Sequence, residues 1–496
     1  MKWPRAGGIL VHPSSLPGPY GIGDLGPAAI SLLDFLAAAR QKLWQVLPLG
    51  PTGYGNSPYA TLSAFAGNPL LISPERLAED ELLSPADLAD HPPFPDTSVD
   101  FGALVPWKLA LLRRAHLRFS TASAAALRHD YERFRESQRA WLDDYALYAA
   151  LKAEHDGAAW VEWERELATR QEDALALARR RLANDIAFHT FAQFLFFRQW
   201  SAVRAAARDR GISIIGDLAI FVAHDSADVW AHPDLFQLDA RGNPTAVSGV
   251  PPDYFSRTGQ RWGNPLYRWD TLRQTGYAWW IERVRRALEL HDFLRLDHFR
   301  GFHAYWKVPA DHDTATDGRW VSGPRDALFT AIREALGDVP FLAEDLGQIT
   351  PGVRALRKRL GFPGMKVLQF GFGGNARSIH LPHNFTPDSA VYTGTHDNDT
   401  TRAWFAACGA HERAHVLRYL NCAEDDVVSA MIRAAFASVA KLAIVPLQDA
   451  LGLGSEARMN FPSRSDGNWQ WRVPAGLLTP QLADWLASLA SLYGRG

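Results

Sequence analysis

Cysteine is almost absent from this chain of 496 residues, which has only two, Cys408 and Cys422. Two cysteines do not make a disulfide framework, and neither stands in a spacing typical of metal ligands. We therefore expect a protein with no metal site, in the cytoplasm, where thiols stay reduced.

Long apolar runs and an excess of either charge are also absent. No window approaches roughly 18 consecutive apolar residues, the length that indicates a membrane-spanning helix. The apolar run near the N-terminus is too short for a signal peptide. The formal net charge is −2, so nothing indicates a nucleic-acid or membrane partner. The sequence leaves the oligomeric state open.

Buried strands, in contrast, recur along the chain. Hydrophobic residues make up 47% of it, which suffices for a sizeable core. Continuous apolar strands that alternate with helical patterns are typical of a parallel sheet buried on both faces. Eight such strands predict an α/β fold, the (β/α)8 barrel. They begin near Gly8, Leu43, Ile212, Phe293, Val339, Lys366, Ala390 and Leu442.

A long stretch between the second and third predicted strands differs in character. Residues 68–210 are largely rich in Ala, Leu, Glu and Arg, with apolar positions at helical spacing. We expect a mainly helical insertion there, while residues 1–67 and 211–496 form the catalytic barrel.

Two segments, residues 50–59 and 250–267, are dense in turn residues and aromatics. Loops of this size are expected at the working face of a barrel, so both are predicted to extend over the active face. The chain has 18 Trp, and planar aromatic faces stack on sugar rings as well as filling cores.

Three predicted strands end in an isolated acidic motif: Asp297 in RLDHFRG, Glu344 in LAEDLG and Asp397 in THDNDT. The C-terminal ends of barrel strands form the active face, so the three carboxylates are expected to converge. Arg295 would lie on the same face of its strand as Asp297, lower the pKa of that carboxyl and keep it ionised. The alternative interpretations are a structural ion pair and caps for the helices that follow.

Three carboxylates without a set of metal ligands suit glycoside chemistry. A retaining enzyme needs an ionised nucleophile and a protonated acid about 5–5.5 Å apart. Asp297 is the predicted nucleophile and Glu344 the acid/base, kept protonated by burial and a neighbouring anion. Asp397 would hold sugar hydroxyls in the transition state, and His396 can donate to a hydroxyl of the same ring.

The motifs around these carboxylates resemble those of the amylomaltase family, 4-α-glucanotransferases of the wider α-amylase clan. LRLDHFRGF, FLAEDLG and YTGTHDNDT carry the resemblance, together with GVPPDYFSRTGQRWGNPLY and stretches from GGILVHPSSLPGPYGIGDLG to PLQDALGLGSEARMNFP. The resemblance covers essentially the whole chain and is weakest over residues 107–208. It implies an enzyme that acts on malto-oligosaccharides or on glucans from starch or glycogen, with no metal or organic cofactor.

The resemblance also implies roles for single residues. It assigns Asp297, Glu344 and Asp397 the roles deduced above. Contacts to the sugar at the cleavage point would come from Arg295, His396, Asp217 and Tyr59.

Three aromatic residues complete the implied site. Trp262, in the loop of residues 250–267, would be a stacking face on the acceptor side. Tyr54 and Phe370 would contact further glucose units.

Two other functions remain open from the residues alone. A hydrolase with the same carboxylates would split the same bonds with water, and only the aromatic loop and the family resemblance favour transfer. A non-catalytic starch-binding barrel is the third hypothesis, and it predicts a lost carboxylate where none is lost.

Overall fold

Eight parallel strands close into a barrel in the computed structural model of the chain, which describes residues 3–122, 125–252, 256–462, 464 and 466–496. Their order around the barrel is β1-β12-β11-β10-β9-β6-β3-β2. The barrel strands are β1 Ala6–Leu10, β2 Leu43–Gln45, β3 Ser213–Leu218, β6 Phe293–Leu296, β9 Phe341–Ala343, β10 Gly364–Val367, β11 Ser389–Tyr392 and β12 Leu442–Pro446. Each predicted strand start lies in or within a few residues of one of them, so the prediction of a (β/α)8 barrel is confirmed.

The barrel strands are apolar because they are covered on both faces. All five residues of β1 and all five of β12 are buried, and these two strands close the barrel by pairing in register from Ala6 with Leu442 to Leu10 with Pro446. Gly8 lets β1 approach β2 closely, since a Cβ there would lie 2.5 Å from Leu43 Cβ.

Helices surround the barrel and fill the segments between its strands. Their bounds are α1 Pro27–Ala38, α2 Pro74–Glu79, α3 Pro85–Ala89, α4 Phe101–Ala122, α5 Ala125–Glu154, α6 Arg165–Ala168, α7 Glu172–Arg181, α8 Ala183–Asp209, α9 Ala227–Ala231, α10 Trp269–Gln274, α11 Ala278–Leu290, α12 Arg300–His303, α13 Asp326–Leu336, α14 Pro351–Leu360, α15 Thr401–Ala407, α16 Ala410–Leu420, α17 Val427–Ala437, α18 Leu447–Ala450 and α19 Pro480–Leu492.

The predicted helical insertion follows the second strand, where α2 to α8 lie between β2 and β3. Its two longest helices, α5 and α8, pack against each other through aromatic side chains: the rings of Trp141 and Phe197, for example, lie 5.9 Å apart. The division into a barrel and a separate subdomain of residues 68–210 remains a prediction.

A second sheet of four antiparallel strands, in the order β5-β4-β7-β8, is the feature that the sequence did not predict. Its strands are β4 Ala246–Val250, β5 Gln260–Pro265, β7 Ala304–Pro309 and β8 Arg319–Ser322. The prediction of a loop over residues 250–267 is therefore wrong for β5, which pairs with β4. Residues 253–255 of that segment lie outside the described part of the chain. Gly263 and Pro265 made the segment resemble a loop, because both residue types are typical of turns.

Within the described residues, no helix combines the length and the apolar character needed to cross a membrane.

Candidate active site

The three predicted carboxylates lie at the same end of the barrel, because each follows the C-terminal end of a parallel strand. Asp297 comes directly after β6, Glu344 directly after β9 and Asp397 a few residues after β11. The capping interpretation is wrong for all three, since the N-caps of the helices that follow are Phe299, Thr350 and Thr400.

Arg295 joins two carboxylates inside the barrel. Its Nη2 lies 2.9 Å from Asp297 Oδ1, and its Nη1 donates to Asp217 Oδ2 over 2.6 Å. Only 4% of the arginine side chain is exposed. Asp217 Oδ2 also accepts a hydrogen bond from the hydroxyl of Tyr59 at 2.7 Å. The planar fork of a guanidinium fixes both distance and direction, so these contacts set the orientation of Asp297.

The pKa of Asp297 moves in the opposite direction to the one that the sequence predicted. Arg295 lowers it, as expected, but the pKa is raised overall to about 6. Burial is the largest cause, and repulsion from Asp217 and Asp397 adds to it. Because 28% of the side chain is exposed, water keeps access to the carboxylate. Asp297 is therefore mainly ionised at neutral pH, which is the state that a nucleophile requires.

Backbone donors hold both carboxyl oxygens of Glu344. The N–H of His298 donates to Oε2 at 2.8 Å, and the N–H of Leu346 donates to Oε1 at 2.7 Å. His298 has a left-handed backbone with φ of 48°, a conformation that costs a non-glycine residue about 1–3 kcal/mol. The turn after β6 thus carries both Asp297 and a donor to Glu344.

The environment of Glu344 favours its protonated form. Its pKa is raised to about 8, chiefly by burial, while repulsion from Asp297 and Asp345 adds to the shift and Arg295 and the hydrogen bond from the Leu346 N–H oppose it. The pKa of Glu344 is therefore raised further than that of its neighbour Asp297. Two carboxyl groups with separated pKa values are the arrangement that gives one an acid role and leaves the other ionised.

Asp397 is the most open of the three, with 48% of its side chain exposed. Its Oδ1 accepts a hydrogen bond from Asn460 Nδ2 at 2.7 Å and lies 3.4 Å from His396 Nε2. Arg458 donates to its backbone carbonyl at 2.9 Å. A segment about sixty residues further along the chain therefore holds Asp397. The exposed carboxylate of Asp397 can still accept hydrogen bonds from a ligand.

Tyr59 and His396 form an aromatic wall beside these carboxylates. Their rings stack at 5.1 Å with an interplanar angle of 18°, and Trp469 packs against both at 5.8 and 6.0 Å. His396 is buried. The wall keeps the Tyr59 hydroxyl aimed at Asp217.

The three aromatic residues expected to contact further sugar units are all exposed. Tyr54 is 81% exposed, Phe370 40% and Trp262 38%. Trp262 packs edge-on against His298, with ring centroids 4.8 Å apart at 83°. Trp262 therefore lies next to the turn that carries Asp297.

Sequence reasoning missed Asn460, Arg458 and Trp469. The first two stand in a motif that supports the family resemblance, but nothing local indicates that they reach Asp397 across more than sixty positions. A short polar residue in a Pro-containing segment is ordinarily a turn residue, so only the folded chain identifies them.

Among the described residues, no group of three or more His, Cys, Asp or Glu side chains is placed to hold a metal ion. The site brings together a carboxylate fixed by an arginine, a carboxyl group held by two backbone amides, and a third carboxylate open to solvent.

Comparison with known proteins gives one consistent picture of relationship. The family described as 4-alpha-glucanotransferase matches residues 11–479. A 4-alpha-glucanotransferase of Thermus thermophilus is 52% identical over 503 residues, which cover 100% of each chain. One of Synechocystis is 49% identical over 495 residues, covering 99% of this chain and 98% of the relative.

Solved structures agree with the sequence relatives. The amylomaltase of Streptococcus agalactiae, solved in complex with acarbose, is 38% identical, with a TM-score of 0.96 over 99% of this chain and 100% of its own. The amylomaltase of Corynebacterium glutamicum, at 18% identity, shares the fold with a TM-score of 0.79 over 98% of this chain and 75% of its own.

Proposed function

The chain belongs to the 4-alpha-glucanotransferase family and is a 4-alpha-glucanotransferase, and we propose that it works by a retaining double displacement through a glycosyl-enzyme on Asp297. The proposed donor is an α-1,4-glucan, and the acceptor is glucose or a malto-oligosaccharide. The proposed location is the cytoplasm, which suits a protein whose two cysteines are free.

In the first step, Asp297 attacks the anomeric carbon of the donor at the cleavage point. A bond forms between the carboxylate oxygen and that carbon, and the bond to the leaving glycosidic oxygen breaks. Glu344 gives its proton to that oxygen, which leaves as a hydroxyl group on the shortened glucan. The raised pKa of Glu344 keeps the proton available.

In the second step, the roles of the two carboxyl groups reverse. A hydroxyl of the acceptor attacks the anomeric carbon, the ester bond to Asp297 breaks, and the ionised Glu344 takes the hydroxyl proton. Both enzyme groups return to their starting states, and the configuration at the anomeric carbon is retained.

The remaining polar groups are proposed to hold the sugar at the cleavage point. Asp397 would bind hydroxyls of the ring as it approaches the planar, positively charged transition state. Asp217 and His396 would fix the same ring, since Asp217 Oδ1 has no protein hydrogen-bond partner. Arg295 would stabilise the departing carboxylate of Asp297 through the contact at 2.9 Å.

Transfer in place of hydrolysis requires that a sugar hydroxyl outcompete water. A preference of roughly 10⁴-fold corresponds to about 5.5 kcal/mol. Stacking of an acceptor ring on Trp262 and hydrogen bonds to its hydroxyls are the proposed sources. The position of Trp262 against His298 supports this role, because it places the indole beside the turn of Asp297.

One observation carries the mechanism: Asp297 is fixed by Arg295, while Glu344, on the neighbouring barrel strand, is held by two backbone amides. The test uses Glu344→Gln with α-maltotriosyl fluoride, a donor that leaves with little proton assistance. The first step then proceeds and the second lacks its base, so a glycosylated protein accumulates. Mass spectrometry should find the added sugar on a peptide containing Asp297.

The matched control is the double variant Asp297→Asn, Glu344→Gln under the same conditions. It should show no adduct. An adduct on another residue, or an adduct that persists in the double variant, would mean that Asp297 is not the nucleophile.

A further inference from the structure

Trp320 is an exposed aromatic residue that the mechanism does not use. Four Tyr, Trp and Phe residues in the described part of the chain are 38% or more exposed, and three of them, Tyr54, Trp262 and Phe370, are already placed as candidate sugar contacts. Trp320 is the fourth, with 39% of its surface exposed. It lies on β8, at the edge of the four-stranded sheet.

One face and one side of the Trp320 ring are covered by neighbouring side chains. The guanidinium carbon of Arg300 lies 3.6 Å from the ring centroid, a distance at which it must stand over a face. Trp306, its partner across the strand pair, packs against the ring at 5.1 Å and 64°. Contacts thus cover one face and one side of the ring, while 39% of the residue stays exposed.

The ring is also held firmly in place. Arg300, itself buried, donates from Nη1 to the carbonyl of Gln348 at 2.5 Å, and so it cannot swing away from the indole. Backbone pairing of β7 with β8 fixes the strand on the other side. An aromatic face that is already ordered binds a flat ligand at little cost in side-chain entropy.

We propose that the open face of Trp320 is a binding platform for an α-1,4-glucan chain outside the catalytic cleft. The proposal rests on the proposed function, because the occupant is the polymer on which the enzyme acts. A flat indole face packs against the apolar face of a glucose ring.

Arg300 connects this platform to the catalytic cleft. Its guanidinium covers one face of the indole, and Arg300 lies three residues after Asp297 in the chain. A polymer bound at Trp320 therefore keeps its other segments at a raised local concentration near the cleft. A trisaccharide has no such further segments, so the benefit is restricted to long glucans.

The experiment compares long and short substrates in Trp320→Ala and the wild type. Stacking of an aromatic face is worth roughly a three- to tenfold change in affinity. We expect KM for amylose to rise by about that factor, with kcat unchanged and with maltotriose disproportionation at the wild-type rate. Migration in native gels that contain glycogen should be retarded less in the variant. Trp320→Phe should recover most of the retardation, because it keeps an aromatic face.

Leu177→Ala is the matched control, since it removes another exposed apolar side chain, 54% exposed, from the helical insertion. It should leave gel retardation unchanged. Equal loss on amylose and maltotriose in Trp320→Ala would overturn the proposal and reduce Trp320 to a support for Arg300. Unchanged retardation and unchanged KM for amylose would also overturn it. If the wild-type protein converted maltotriose only to shorter sugars, that result would instead count against the proposed function.

Discussion

Arg295 Nη2 lies 2.9 Å from Asp297 Oδ1, while Nη1 of the same guanidinium lies 2.6 Å from Asp217 Oδ2. The same contact that orients Asp297 therefore also limits the rise of its pKa, which burial pushes to about 6. A lysine has a single nitrogen and cannot reproduce both contacts.

Arg295→Lys should therefore shift the acidic limb of the pH profile to higher pH. Loss of a charge-assisted hydrogen bond leaves burial less opposed, so the pKa of Asp297 rises and less of it is ionised. We expect activity at pH 7 to fall roughly 10- to 100-fold. The measurement is kcat/KM against pH with α-maltotriosyl fluoride. Arg413→Lys, which alters a surface ion pair with Glu424, should not move the limb.

Asp297→Asn should remove nearly all activity and leave the fold intact. An amide cannot form the glycosyl ester, and losing a nucleophile costs on the order of 10⁴-fold or more. Turnover of maltotriose and a thermal melt measure the two effects separately. Turnover within tenfold of the wild type would show that another group attacks.

Glu344→Gln should harm cleavage of maltotriose far more than cleavage of α-maltotriosyl fluoride. The sugar leaving group needs a proton, and fluoride needs little help. General acid catalysis contributes about 10²–10⁴-fold, and that is the difference expected between the two donors in the first step. Rapid-quench measurement of the first turnover isolates this step. The same fractional loss with both donors would refute the acid role.

Glu344→Gln should also stabilise the protein as the pH rises. The pKa of Glu344 in the folded protein, about 8, lies above its ordinary value of 4.5, so the folded state binds this proton more tightly than the unfolded state. That contribution is fully present below the ordinary value and is lost as the pH rises through about 8. Glutamine has no such proton to lose.

The melting temperature of Glu344→Gln minus that of the wild type should therefore increase between about pH 5 and pH 8. Glu166→Gln, at an exposed position of α6, provides the comparison. A difference that stays constant over this range would mean that Glu344 is not protonated in the folded state.

Trp262→Ala should raise the ratio of hydrolysis to transfer more than it lowers total bond cleavage. The reason is that the acceptor loses its stacking face and the turn of Asp297 loses its cover. With maltotriose as the substrate, new reducing ends count hydrolysis and longer oligosaccharides count transfer. If both rates fall together at a constant ratio, Trp262 only positions its strand.

The sequence was sufficient for the barrel and for the placement of the acidic strand ends, because buried parallel strands leave long apolar signals and Asp297, Glu344 and Asp397 interrupt them. It was insufficient for β5, since a strand at the edge of a small sheet tolerates Gly263 and Pro265. It was also insufficient for the sign of the pKa shift at Asp297. Spacing reveals the neighbouring Arg295, but desolvation depends on everything that the fold packs around the group.

The contact between Asn460 and Asp397 illustrates the limit more generally. Its two members are far apart in the chain and meet only because the segment after β12 returns over the strand ends. Local sequence patterns do not indicate contacts between segments so far apart in the chain.

The closure of the barrel by β1 and β12 has a consequence for the synthesis of the protein. Ala6 pairs with Leu442, so β1 leaves the ribosome long before β12, one of its two neighbours in the barrel, has been synthesised. Asp397 likewise cannot form its hydrogen bond with Asn460 until that later segment has been synthesised. Contacts of such high sequence separation form slowly, and a nascent chain exposes unpaired strand edges until they do. A chain that ended between Glu344 and Leu442 would contain both Asp297 and Glu344, but its barrel would stay open, and its unpaired strand edges would make it a client for chaperones.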